Sequence, residues 1–411
     1  MPTTRRGLFA LLPPSWFAYT QLLQAADSST ESYWNLIKHE FPLDDSLLYF
    51  NAANVCPASR LVLDRYQHFL RDFHANPSFQ NREKYVPLED RLRGKIAKLL
   101  RVSADEIALT RNTSEGSNLV VRGLDLKAGD EVIITSHNHP SNNDSWKVRA
   151  RRDDLTIVPV AVTVPAVSAT ALVDSIRAAI TSRTKVIAIT HVTSTTGIRF
   201  PAKEIATLAK ERGIWMHLDG AQSFGAIDVD LADIGCDSFA ASAHKWPMGP
   251  LEAGLLYVKA SRHKQLWPSI VTAGWSDTLV GARKFEVFGQ RDDARLVSFE
   301  AAIDFLALMD MTKVEARLAL LTGRLKQEFA KLPGAQVRTN VEAGLSGGVV
   351  KVDFPKLDLK TVYDRLWNDH KVAIALTATG DSRGLRFSPH VYNTLAEVDR
   401  AVAAVRQVAR A

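Results

Sequence analysis

Between residues 131 and 258 the chain alternates short apolar runs with amphipathic stretches, and no other feature narrows its possible folds as much. Short apolar runs bounded by polar residues read as strands buried on both faces, and the helical periodicity between them supplies the layers that cover those faces. The runs 131–136, 155–160, 185–189, 214–218, 238–241 and Gly254–Val258 predict strands, while 169–180 and 202–212 predict helices, the second closed by Gly213. Strand and helix in alternation predict an α/β fold around a large, mostly parallel sheet.

After about Arg291 the texture changes. A long helical run over 298–332 leads to strand-like runs at 348–354, 372–376 and 384–388, which predict a smaller C-terminal α+β domain. A last helix is expected to open at Thr394, with Glu397 at capping-box spacing and Leu395, Val398, Val402 and Val405 on one face. The expected division is therefore 27–290 for an N-terminal segment with the large domain and 291–411 for the small one. Residues 1–26 read differently: Arg5 and Arg6 precede an apolar stretch that ends at Ala25 and Ala26. This resembles a twin-arginine export leader and predicts a periplasmic or secreted protein, although Pro13 and Pro14 interrupt the stretch. A frayed helix on a cytoplasmic enzyme is the alternative. No later apolar run is long enough to span a bilayer.

Composition removes other classes. With 51 Lys+Arg against 45 Asp+Glu, the net charge of +6 is too small an excess for a nucleic-acid binder. The 2 cysteines, Cys56 and Cys236, cannot form a disulfide framework or a multi-cysteine metal site.

Chemistry is expected at the ends of two large-domain strands. Asp219, in His217–Leu218–Asp219–Gly220–Ala221–Gln222, ends a buried apolar run, where a carboxylate is costly unless a cation faces it. Lys245, in Ser242–Ala243–His244–Lys245–Trp246, ends the next run beside a serine and a histidine. A lysine desolvated there has a lowered pKa and can condense with an aldehyde. An Asp for a protonated pyridine nitrogen and a Lys for an aldehyde are the pair that pyridoxal phosphate needs. As alternatives, Asp219 could cap a helix and Lys245 could be a solvated surface residue.

With these residues the chain resembles the fold type I pyridoxal phosphate enzymes of the class V aminotransferase family, and is most similar to the isopenicillin N epimerase-like branch, over about Leu48 to Val405. The resemblance implies a fold type I transferase fold with pyridoxal 5'-phosphate as cofactor. It makes Lys245 the Schiff-base lysine, Asp219 the partner of the pyridine nitrogen and Gln222 the contact to the ring hydroxyl. His139, in His137–Asn138–His139–Pro140–Ser141–Asn142, matches the histidine stacked on the ring, and Thr113 and Ser114 match the phosphate-binding turn at a helix start. Ser242 and His244 complete the phosphate cradle, and Arg386 matches the arginine that clamps a substrate carboxylate. Asn54, in the segment Asn51–Ala52–Ala53–Asn54–Val55–Cys56, borders the substrate site, and Gln290 stands where relatives place a threonine that reaches the neighbouring subunit's phosphate. A homodimer acting on an amino acid or peptidic substrate, without nucleic acid, is implied.

Three other patterns carry less. His137 and His139 could form a metal pair but have no third ligand nearby, so no metal is expected. Gly344–Leu345–Ser346–Gly347–Gly348 spells a hydrolase nucleophile elbow yet precedes a strand, which is the wrong context. Arg149, Arg151 and Arg152, followed by Asp153 and Asp154, read as a solvated helix end.

Two departures bear on the reaction. The stretch 375–383 has no cysteine where the family's desulfurases carry their nucleophile, and Ser194 replaces an asparagine those enzymes place near the ring. Cys236 is expected as core packing, with Cys56 the remaining thiol near the site. Epimerisation or transamination at the α-carbon or amino group is the main reading. C–S lysis of the desulfurase kind, and maturation of a peptide-linked amino acid such as one in a siderophore, are the alternatives.

Overall fold

The computed structural model describes Gln21 and residues 26–410 except Asp277. The arginine pair Arg5 and Arg6, and nearly all of the apolar stretch behind it, lie outside the described residues. Strands are labelled β1 (Leu48–Tyr49), β2 (Ile107–Thr110), β3 (Glu131–Thr135), β4 (Thr156–Val160), β5 (Thr184–Thr190), β6 (Trp215–Asp219), β7 (Ser238–Ser242), β8 (Gly254–Val258), β9 (Gln336–Val337), β10 (Val350–Asp353), β11 (Val372–Ala373), β12 (Ala375–Thr377) and β13 (Gly384–Phe387).

Strands β2 to β8 form one sheet in the order β2-β8-β7-β6-β5-β3-β4. Pairing is parallel from β7 through to β4, and β8 runs antiparallel between β2 and β7. The two-residue period of a strand divides its side chains between two cores. Ile133, Ile187, Met216, Leu218 and Phe239 enter one, and Val132, Ile134, Val186, Trp215 and Ala240 enter the other. Burial on both faces is why these strands read as continuous apolar runs rather than alternating ones.

The turn after β6 depends on Gly220. A Cβ there would lie 1.9 Å from Cζ of Phe239, so only glycine lets the chain leave the strand at this point.

The 298–332 run, read as one long helix, is two: Asp293–Met309 and Met311–Ala330. The chain breaks at Asp310, whose φ is 70° and whose side chain accepts from Thr312 N at 2.9 Å to start the second helix. A short side chain that bonds forward to the backbone competes with helix continuation, and periodicity alone does not register this. The first of these helices packs in the large core through Leu296, Phe299, Ile303 and Leu306. The small core begins in the second helix at Leu321 and includes Leu48 and Phe50 from the N-terminal side of the chain.

The small sheet is antiparallel, in the order β12-β13-β10-β9, and β1 pairs with β11 in parallel beside it. The last helix, Leu395–Arg410, opens as expected: Glu397 N donates to Thr394 Oγ1 at 3.1 Å, and Thr394 N donates to Glu397 Oε2 at 2.9 Å. The solvated helix end expected around Arg149 is corrected for that residue. Arg149 is buried, pairs with Asp153, and donates to the carbonyls of Val121 and Leu124 where the helix Thr113–Gly123 ends. A cation satisfies carbonyls that a helix C-terminus leaves unpaired. No helix among the described residues is long and apolar enough to cross a membrane.

Candidate active site

The parallel strands β5, β6 and β7 end at one edge of the large sheet, where β2 also ends and β8 begins, since Ser242 and Thr110 are both opposite Gly254. Ligands of open α/β sheets bind beyond such carboxyl ends. Here the edge collects Thr113, His139, Asp219, Ser242 and Lys245.

Asp219 ends β6 and is 2% exposed. Its Oδ1 accepts from Ala221 N at 2.9 Å, which fixes the carboxylate at the turn made possible by Gly220. Burial raises its pKa, while the Ala221 amide and the charge of Lys245 act in the opposite direction. Lys245 lies three residues past β7 and its Nζ has no hydrogen-bond or ion-pair partner among the described residues. Burial lowers its pKa; the Asp219 charge opposes this, and Arg386 adds to it. A desolvated amine beside a buried carboxylate is a nucleophile and a base in one group.

Next to this pair the helix Thr113–Gly123 points its first turn at the sheet edge, capped by Asn112, whose Oδ1 accepts from Glu115 N at 2.9 Å. Thr113 N donates to Ser242 Oγ at 2.8 Å, and the two hydroxyls are 2.7 Å apart. Ser114 is exposed. His244 keeps a buried Nδ1 without a partner, and burial followed by the Lys245 charge holds its pKa down to about 4. Helix-start amides, two hydroxyls and an imidazole form a polar nest suited to an anion.

His139 is held from the other side by a local network. Asn138 accepts from Thr135 Oγ1 at 2.7 Å and from Thr190 N at 3.0 Å, which ties the turn after β3 to β5. His139 then caps the helix Pro140–Asp153, its Nδ1 accepting from Ser141 N at 3.2 Å, which leaves the ring proton on Nε2. His139 is exposed; partial burial first, and the Lys245 charge second, keep its pKa below the usual imidazole value.

Gln222 is buried and engaged by the protein. Its Nε2 donates to Ala53 O at 2.9 Å and its Oε1 accepts from Trp246 Nε1 at 2.8 Å, leaving one N–H for another partner. The small domain contributes Arg386, which donates to Ser194 O and to Asn51 Oδ1, both at 2.9 Å. Its Nε is buried without a partner, and burial brings its pKa down to about 10. The sequence points to the segment of Asn51 and to Ser194 but not to their bonds with Arg386; 335 and 192 residues separate them from it, and no spacing rule spans such distances.

Asn54 is exposed in a turn closed by its amide on Asn51 O at 3.0 Å. Cys56 is buried, its amide donating to His244 O at 2.8 Å, and burial pushes its thiol well above the usual value. Cys236 is fully buried in the large core. Gln290 stands apart from the group, exposed on the surface and accepting from Arg82 Nη2 at 2.8 Å. Among the described residues no three His, Cys, Asp or Glu side chains gather in a way that could hold a metal ion.

A two-domain α/β architecture with a desolvated lysine and a buried aspartate at the carboxyl edge of the large sheet defines a fold type I pyridoxal phosphate enzyme. Residues 48–401 match the aminotransferase class-V family, and the chain belongs to it; the family's cofactor is pyridoxal 5'-phosphate. Among curated relatives, the chain is 29% identical to isopenicillin N epimerase of Streptomyces clavuligerus over 388 residues, covering 89% of this chain and 96% of that protein. It is also 27% identical to a probable cysteine desulfurase of Methanothermobacter thermautotrophicus, covering 88% of this chain and 94% of the relative. Among solved structures, the cysteine desulfurase CsdA of Escherichia coli superposes with a TM-score of 0.81 at 23% identity, covering 94% of this chain and 99% of that one. The cystine C–S lyase C-DES, solved with its product cysteine persulfide, gives a TM-score of 0.80 at 20% identity, with 88% of this chain and 98% of that one covered.

Proposed function

We propose that this chain acts at the α-carbon or amino group of an amino acid, as an epimerase or aminotransferase. The observation that carries the reading is Lys245, a partly buried amine without a partner, whose pKa feels the charges of a buried Asp219 and of Arg386, which has no carboxylate partner. The residues fit pyridoxal phosphate. The unpaired buried Nδ1 of His244, the Thr113 and Ser242 hydroxyls and the helix start with Ser114 would hold the phosphate. Asp219 would hold the pyridine nitrogen, Gln222 the ring hydroxyl through its remaining N–H, and His139 the ring face. Gln290 would serve the partner subunit of a homodimer, where its exposure leaves it available.

When bound, the cofactor supplies an electron sink for a substrate joined to its aldehyde. Asp219 would hold the proton on the ring nitrogen. Arg386 takes the substrate carboxylate with its unpaired Nε and orients the Cα–H bond, with Asn54 at the border of that site. Lys245 Nζ would be the base that removes the α-proton and can return it.

The loop 378–383 carries no cysteine, and the Cys56 thiol is held protonated by burial, so sulfur acceptance is disfavoured relative to proton return. The test is to incubate the holoenzyme with a panel of amino acids in deuterated water. Exchange with inversion supports an epimerase; keto acid with loss of the cofactor's aldehyde absorption supports an aminotransferase. Sulfide released from L-cysteine through an enzyme-bound persulfide would overturn the proposal, as would a Lys245→Ala variant with an unchanged cofactor spectrum.

A further inference from the structure

The small sheet holds a second buried cation that the reading above does not use. Alternation along β10 sends Val350 and Val352 into the small core, which places Lys351 on the opposite face. Arg386 stands directly across from Lys351 in the β10–β13 pair and therefore shares that face. Lys351 is 0% exposed. Its Nζ donates to Thr377 Oγ1 at 2.7 Å and to Gly384 O at 3.3 Å, the two stems of the loop 378–383. Gly384, with φ +143°, passes so close that a Cβ would lie 2.8 Å from Lys351 Cδ. The backbone thus wraps the lysine and fixes its position.

Neither Lys351 nor Arg386 has a carboxylate within 4 Å among the described residues; Asp353, on the same strand, is taken by Arg383. Two like charges without an anion, Lys351 fully buried and Arg386 partly so, repel each other and have both lost water. The arrangement becomes favourable when an anion arrives at Arg386.

We propose that Lys351 is a positioning residue of the substrate-carboxylate site, whose ammonium, held behind Arg386 by the stems of the 378–383 loop, adds its field to the arginine's and strengthens the capture of a carboxylate. This rests on the reading of Arg386 given above. Burial first, and the Arg386 charge second, bring Lys351 down to about 7, with Asp353 opposing. The charged groups around it are Arg386 on β13, Asp353 on β10 and Arg338, whose amide bonds Lys351 O and whose guanidinium turns to Asp381 O. Below neutral pH Lys351 is charged and the field is at full strength; as pH rises through that value the proton leaves and carboxylate capture weakens. By linkage, a bound carboxylate raises the lysine's pKa again.

The experiment titrates the holoenzyme with L-alanine and with propylamine between pH 6 and pH 9, following the change in cofactor absorption. Both probes present an amine and only alanine presents a carboxylate, so the ratio of their apparent Kd values isolates that group. The wild type is expected to prefer alanine, with the preference falling about tenfold from pH 6 to pH 9, as one added charge at short range in a medium of intermediate dielectric allows. Lys351→Met should lower the preference at pH 6 by a similar factor, flatten the pH profile and leave propylamine unchanged. If the variant weakens both probes equally, Lys351 is merely structural and the proposal falls. If the variant does not fold, the wild-type profile still decides: a pH-independent preference overturns the role of Lys351 alone. No preference at any pH overturns the reading of Arg386 and this inference with it.

Discussion

At the scale of single residues, the site is organised by what burial does to charge. Asp219, Lys245 and Arg386 each lose water, and each shifts toward its neutral form in the direction its own chemistry dictates. The Ala221 amide and the Lys245 charge limit the first shift, the Asp219 charge the second and Tyr49 the third. Cys56 is governed by burial as well. It lies near Lys245, with Ala52 O at 3.8 Å and Tyr392 Oη at 3.9 Å from its Sγ, and burial outweighs the help that Tyr392 and the Lys245 charge give a thiolate. Cys56→Ala is therefore expected to leave α-deuterium exchange within about threefold of wild type, and loss of exchange by more than about tenfold would return the thiol to the chemistry. Asp219→Ala is expected to bind the cofactor about 10- to 100-fold more weakly, the worth of one hydrogen bond to a charged group, as read by equilibrium dialysis of pyridoxal phosphate.

At the scale of elements, the break at Asp310 shows how a local side chain divides a helix. Residues 298–309 and Met311–Ala330 each have helical periodicity, and the positive φ of Asp310 lets the second helix begin with a new cap instead of continuing the first. Asp310→Ala loses the cap and keeps the strained φ, for an expected destabilisation of about 2 kcal/mol in urea unfolding. Asp310→Gly relieves the strain and makes only a weak cap, so it should fall within about 0.5 kcal/mol of wild type. Equal effects of the two substitutions would remove this account of the break.

At the scale of the whole molecule, stability should depend on acid through histidine. Burial holds His191 and His217 down to about 3 and His390 and His244 to about 4, so all four are neutral in the native protein near pH 6. An unfolded imidazole titrates near 6.5. Below that pH the unfolded chain binds protons that the native state refuses, so stability is full above about 6.5, is lost as pH falls and levels off under the folded values. The urea midpoint at fixed cofactor concentration should drop between pH 6.5 and pH 5, above the ordinary carboxylate range, with up to about four protons taken up on unfolding. A flat midpoint across that window would contradict the burial of these rings. The export reading is tested at the same scale: replacing Arg5 and Arg6 by lysine should retain the protein in the cytoplasm, and a wild-type protein found there with Met1 intact would exclude a leader.

Much of this molecule is written locally. Strands β3 to β8 were legible as short apolar runs, most of them because they are buried on both faces, whereas β2 was not; the last helix was legible because Thr394 and Glu397 sit three residues apart on one chain segment. Asp219 and Lys245 were legible because a charged residue at the end of an apolar strand demands an explanation. What tertiary structure alone decided lies across long separations. The bond between Arg386 and Asn51, the anchoring of Gln222 to Ala53 and Trp246, and the placing of Lys351 behind Arg386 join strands and loops whose mutual positions no short-range pattern encodes. The same holds for Arg149, which its neighbours in sequence mark as solvated and which the packing of two helices draws into the interior. Periodicity reports the face a residue turns inward; which element meets that face depends on how the layers stack.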